Sequence, residues 1–131
     1  MGRVTGGMYR RLVALARANG RSGELHCRQE LVRLHTLLEL NRLNVLRSRS
    51  GTKPTGAEAN IAKLLMSEIS RLAGEIAGLV GGLDAVLVGD DAPEAGLLSD
   101  IIQYSPAPSV YGGTDQIQKN IIGERILGLP R

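Results

Sequence analysis

The chain has 131 residues, a formal net charge of +3, no Trp, no Phe and only three Tyr. That length suits one domain with one core, and without large aromatics the core must be Leu, Ile, Val and Ala, which favours packed helices over a sheet sandwich. Cys27 is the single cysteine, so an intrachain disulfide is excluded and a reducing cytoplasm is the expected setting.

No apolar run has the form of a signal peptide or approaches the roughly 18–20 residues of a membrane helix. The charge is unevenly placed: residues 1–50 hold ten Arg against three Glu, and residues 51–100 hold three Lys or Arg against eight Asp or Glu. The arginines fall between leucines at helical spacing, without a clustered tract or stacking aromatics. The pattern therefore points to a subunit interface or a phosphate-bearing cofactor rather than nucleic acid.

Residues 8–19 have helical spacing, with Met8, Leu12, Leu15 and Ala16 on one face, and stop at Asn19-Gly20. A longer helix is predicted over 25–48, with Leu31, Leu34, Leu38 and Val45 as its stripe and Leu37, Leu40 and Leu43 widening it. Residues 48–54 read as a loop. Thr55 and Glu58 then form a capping box that starts the next helix. That third helix, about 56–80, is the most periodic segment. Ile61, Leu65, Ile69, Leu72, Ile76 and Leu79 recur every three or four residues, with Lys63 and Arg71 off the stripe.

Gly81-Gly82 ends it, and residues 83–94 read as a loop with an acidic pair, Asp90-Asp91. A short helix over about 95–104 precedes Ser105-Pro106-Ala107-Pro108, which cannot be regular. The last helix is predicted from Thr114 to Leu127, burying Ile117, Ile121, Ile122 and Ile126 or Leu127. With no convincing strand, the expected fold is an all-α antiparallel four-helix-type bundle. His26 and His35, nine apart, do not share a helix turn, so no metal site is expected.

The last 21 residues, from Tyr111 to Arg131, carry the most specific pattern. Gly112 and Gly113 permit positive φ and close backbone approach, and Thr114 can cap the helix that follows. Such a start presents unpaired N–H groups and a positive dipole end to an anion. The string Gly-Gly-Thr-x-x-Ile-Gln-x-Asn-Ile-Ile, followed by Glu-Arg-x-Leu-Gly-Leu-Pro-Arg, resembles the C-terminal signature of the FAD-dependent acyl-CoA dehydrogenases. The resemblance is to the C-terminal helical domain. It is tight from Tyr111 onward, moderate over 56–82 and loose before residue 50. Nothing matches the family's N-terminal helical and middle β-domains.

The resemblance implies roles for particular residues. Gly113 corresponds to a substrate contact, and Thr114, Asp115 and Gln116 to flavin contacts. Gly81 and Gly82 correspond to a turn that touches the adenosine part of a flavin bound mainly by a neighbouring subunit, although Gly78 replaces its usual Gln. Arg17 falls where an arginine binds the flavin diphosphate across the interface, with Arg21 and Arg28 as rival choices. The family removes the substrate α-proton with a carboxylate, in many members a Glu at the position of Gly112. Glycine cannot accept a proton, so no catalytic residue is assigned. Asp115, the nearest carboxylate, reads instead as a first-turn acid favouring the positive helix end. Gln103-Tyr104 replaces an Arg-Asp pair that often precedes the signature.

The expected function is that of a domain. In a full assembly it would help the α,β-dehydrogenation of an acyl-CoA to a 2-enoyl-CoA, with FAD as cofactor, and alone it would be inactive. The implied partners are the acyl-CoA substrate and either a homo-oligomer or a dehydrogenase subunit, with no nucleic acid and no membrane. The alternative reading is a non-catalytic helical assembly or partner module of a full-length dehydrogenase.

Overall fold

The computed structural model describes residues 7–50 and 56–130. Five α-helices follow one another: α1 (Met8–Ala18), α2 (Leu25–Arg49), α3 (Glu58–Gly81), α4 (Leu97–Tyr104) and α5 (Asp115–Ile121). The last runs on into a π-helical turn over Ile122–Ile126, and the described residues contain no strand. This is the all-helical bundle that the sequence predicts.

α3 is the axis of the bundle because it is apolar on more than one side. Ile69, Leu72, Ile76, Ala77 and Val80 are buried against Leu12 and Ala16 of α1, Cys27, Leu31 and Leu34 of α2, and Leu97, Leu98 and Ile101 of α4. Each fully buried aliphatic side chain contributes about 1.5–3 kcal/mol.

Cross-helix contacts fix the directions. Asn44 near the end of α2 donates to the Glu58 carbonyl at the start of α3, while Arg33 reaches Glu68 further along. α2 is therefore antiparallel to α3. Asn60 bonds Gln118 whereas Arg71 bonds Asp115, so α5 is antiparallel as well. α1 runs the same way as α3, its end tied down by Asn19 donating to the Val80 carbonyl at 3.0 Å.

α4 lies close against α3 because glycines face it. A Cβ on Gly74 would come within 2.7 Å of Ser105 Cβ, and one on Gly81 within 2.5 Å of Leu98 Cδ1. Their register, 74 against 105 and 81 against 98, makes α4 antiparallel to α3 too.

Helix ends agree with the sequence to within about two residues when the π turn is counted with α5, and the buried faces differ in three places. Leu40 and Leu43, expected to widen the buried stripe of α2, are exposed, because the described residues place nothing over that face. Ile117 and Leu127 are exposed as well, while Ile121, Ile122 and Ile126 are half-buried. Gln118 takes the inward position on α5, where its amide serves two hydrogen bonds that an isoleucine could not make. Thr55, the predicted cap of α3, lies outside the described residues. On the described side, the Glu58 carboxylate accepts from the Gly56 N–H at 3.0 Å.

Candidate functional site: the glycine turn and its latch

The segment before α5 is shaped by its own residues. Pro106 and Pro108 prevent a continuous helix, and a short 3₁₀ turn over Ala107–Ser109 carries the chain towards the signature. Gly112 and Gly113 follow at φ +67° and +87°, a left-handed conformation that glycine adopts at little cost. Thr114 then caps α5, its side chain accepting from the Ile117 N–H at 3.3 Å. A Cβ on Gly113 would sit 2.8 Å from Gln118 Nε2, whereas one on Gly112 would meet only Lys63 Cε, at 3.6 Å.

The turn is held by a polar line along α3. Asn60 donates to Gln118 Oε1 at 2.6 Å, and Gln118 Nε2 in turn donates to the Gly112 carbonyl at 3.0 Å. One and two turns further along α3, the Lys63 ammonium and the Ser67 hydroxyl both donate to the Pro108 carbonyl. At the far end Arg71 donates to Asp115 Oδ2 at 2.8 Å. Lys63 also lies 3.9 Å from Asp115 Oδ1, with side-chain exposures of only 11% and 14% for the two residues. Its ammonium sits 5.9 Å from the centre of the Tyr111 ring. The Tyr111 hydroxyl shares a 2.7 Å hydrogen bond with that of Tyr104.

Asp115 is thus turned onto α3 and away from solvent. Burial works to raise its pKa, but the Ser67 hydroxyl, the Arg71 guanidinium and the Lys63 ammonium outweigh it and hold the carboxyl below its ordinary value. A carboxylate stabilised in this way is a poor proton acceptor. Hydrogen bonding to Tyr111, with some burial, raises the pKa of Tyr104.

The predicted site residues fall into two groups. Gly113, Thr114, Asp115 and Gln116 form one continuous turn, with Gln116 exposed and Thr114 half-exposed. Gly81, Gly82 and Arg17 belong to the other end of α3, where the ends of α1 and α3 meet. Measured along α3 from Ser67, beside the signature turn, to Gly82, the two groups are ~22 Å apart at 1.5 Å per residue. Gly82 has φ +54°, and Arg21, not Arg17, is the arginine beside it: a Cβ on Gly82 would lie 3.8 Å from Arg21 Nη2. Arg17 is exposed on α1. Gly81 is required by its packing against Leu98 and Ala85, while Gly78 has nothing within 4 Å of a Cβ.

Sequence reasoning missed the latch. Asn60, Lys63, Ser67 and Arg71 recur at intervals of three or four, a polar stripe beside the apolar one. That periodicity was the available signal, but their partners lie more than 40 residues away in the chain. Among the described residues no group of three or more His, Cys, Asp or Glu is placed to hold a metal. Nor is any helix there long and apolar enough to cross a membrane.

Comparison with known proteins gives this helical bundle and its glycine turn a family. The chain matches the acyl-CoA dehydrogenase C-terminal domain over residues 4–127, and it belongs to that family. It is 35% identical over 120 residues to the acyl-CoA dehydrogenase IpdE1 of Mycolicibacterium smegmatis, covering 92% of this chain and 30% of that protein. With the acyl-CoA dehydrogenase IpdE1 of Mycobacterium tuberculosis the identity is 34% over 121 residues, covering 92% and 31%. The chain therefore spans about a third of the length of the curated relatives it matches. No solved structure matches it.

Proposed function

We propose that this domain forms one wall of a flavin pocket in an FAD-dependent acyl-CoA dehydrogenase whose remaining parts come from other domains or another chain. The observation that carries this reading is the turn at Gly112-Gly113-Thr114, latched to α3 by Lys63, Ser67 and Arg71 and, through Gln118, by Asn60, within a domain of this family.

The residues present fit a flavin edge. Two glycines in left-handed geometry expose main chain without side chains, Thr114 fixes the start of α5, and Gln116 points outward. Asp115, turned inward, offers its main chain there and not its carboxylate. When bound, the flavin would supply the hydride acceptor for converting an acyl-CoA to the 2-enoyl-CoA.

The chain's own part is to orient and to exclude water. Gly113 allows close approach of the thioester, and Tyr111 covers the Lys63 ammonium. Removal of the α-proton is left to a carboxylate of the remaining parts, since Gly112 has no acceptor and Asp115 is committed to Arg71 and Lys63. At the other end of α3, Gly81 and Gly82 are proposed to lie against the adenosine part of a second flavin, held mainly by a neighbouring subunit, with Arg17 or Arg21 at its diphosphate. A guanidinium suits that group through bidentate hydrogen bonding.

The isolated chain is accordingly expected to bind FAD weakly and to turn over no substrate. Purification followed by a visible spectrum tests this: the expected product is colourless, and a yellow protein that bleaches on adding an acyl-CoA would overturn the reading. A second reading, a non-catalytic partner module in the cytoplasm pairing with a full-length dehydrogenase, is favoured by the uncovered apolar face of α2. Co-purification with such a subunit would select it.

A further inference from the structure

A partly enclosed cavity of about 240 Å³ lies between the start of α1, the middle of α2 and α3, and the end of α4. Met8, Leu38, Met66 and Ile69 make its walls largely apolar, and Asn41, Ser70 and Tyr104 set three polar side chains among them. Apolar walls with a few polar groups are the usual make-up of a small-molecule site. The volume falls below the roughly 300 Å³ at which sites for whole ligands begin, and suits one end of a ligand.

Asn41 is the telling residue. Its amide oxygen is buried and has no hydrogen-bond partner. Leaving a buried acceptor unpaired is costly, and folded chains seldom retain one without a use. The last torsion of an Asn side chain is soft, so a small rotation presents that oxygen to a donor entering the cavity. Ser70, on the same wall, adds a hydroxyl that can donate. A hydroxyl on the occupant can therefore donate to Asn41 and accept from Ser70, whereas an alkyl end can do neither.

The cavity adjoins the signature turn. The Tyr111 hydroxyl shares its 2.7 Å hydrogen bond with Tyr104 and donates to Met66 Sδ at 3.9 Å. Two residues of the cavity wall thus touch a side chain that stands two positions before Gly113. Met66 is 41% exposed, and its flexible thioether can move aside for an entering group. Tyr104 replaces the Asp of the family's usual Arg-Asp pair, so this wall is a departure from the common pattern.

We infer that the cavity receives the far end of the substrate's acyl group, which runs from Gly113 past Tyr111, and that it selects a compact apolar end carrying a hydroxyl. The inference rests on the proposed placing of the thioester at Gly113. Asn41 sets the preference for the hydroxyl, and Met66 with the Tyr104–Tyr111 pair forms the entrance.

The cavity is built from this chain alone, so binding is tested on the chain as it is, without flavin. The probes are the N-acetylcysteamine thioesters of ω-hydroxyoctanoic acid and of octanoic acid, titrated into nitrogen-15-labelled protein and followed by NMR. The hydroxylated probe is expected to shift the side-chain amide of Asn41 and the backbone amides of Ile69 and Ser70 in a saturable way. It should bind about three- to tenfold more tightly than the octanoyl probe, the effect of one added buried hydrogen bond. Asn41→Leu removes the unpaired group, and is expected to keep the helical circular dichroism and bring the ratio of the two affinities to about one. An asparagine with a structural role only would leave that ratio unchanged, which overturns the inference. Equal binding of the two probes by the wild type, or shifts confined to other parts of the chain, overturns it as well, even if Asn41→Leu does not fold. Failure of the flavin reading alone has a different signature: a full dehydrogenase built with this domain lacks flavin, while the probes still bind in this cavity.

Discussion

Replacing Asp115 by Asn tests whether the latch holds the signature turn as described. The carboxylate is 14% exposed, accepts from Arg71 at 2.8 Å and faces Lys63 at 3.9 Å. A hydrogen bond to a charged group is worth about 1.5–3 kcal/mol. Arg71 is half-exposed, which pulls its share towards the low end. Lys63, nearly buried, loses its counter-charge but keeps Pro108 and Ser67 as partners, so the ~3–5 kcal/mol penalty of a fully orphaned buried charge is not reached. The expected loss is about 1.5–2.5 kcal/mol, or ~5–10 °C in Tm for a domain of this size.

The pH dependence supplies the sharper check. The folded pKa of Asp115 lies below its unfolded value, so its contribution is fully present above the unfolded pKa and is lost as pH falls through the folded one. Urea unfolding of wild type and Asp115→Asn should therefore differ by a constant amount from neutral pH down to about pH 5, and the gap should close below about pH 4. A variant within about 0.3 kcal/mol of wild type at neutral pH would refute the reasoning. A gap that persists unchanged in strong acid would refute it equally.

Gly113→Ala should cost about 1–2 kcal/mol, since it forces a left-handed alanine and pushes the Gln118 amide off the Gly112 carbonyl; urea unfolding at neutral pH reads this directly. Ala95 has φ +51° just before α4, so Ala95→Gly should relieve strain of about 1–2 kcal/mol against a Gly entropy cost of about 0.4–1 and leave a small net gain, visible as a raised Tm. Cys27 is 1% exposed, and burial, aided by Glu24 and opposed by Arg21, pushes its thiol pKa up. A thiol reagent at about pH 8 should label it only after denaturant is added, and labelling of the folded chain within minutes would contradict its place in the core.

The bundle was legible because its helices are long and periodic: α3 shows its apolar stripe in the sequence, and Asn19-Gly20 and Gly81-Gly82 mark real ends. The glycine turn was legible too, since Gly112, Gly113 and Thr114 act through their own local conformation. The second face of α2 was not. Leu40 and Leu43 look like core by composition, and only the placement of α3 on one side of α2 reveals them as surface. The latch was hidden for a different reason. Lys63 and Arg71 look like ordinary solvated charges until Pro108 and Asp115 are brought across to them. Arg17 and Arg21, four apart on the same arm, could be told apart only by the folded position of Gly82.

The most direct test of the account is to exchange this domain for the part of the Mycolicibacterium smegmatis acyl-CoA dehydrogenase IpdE1 that it matches, with which it is 35% identical, and to read bound flavin from the visible spectrum. The expected chimera is folded and yellow with close to one FAD per chain, and it loses the flavin when Gly113 is replaced by a bulky residue. A chimera that folds, with the helical content of its parents, yet carries no flavin would contradict the account.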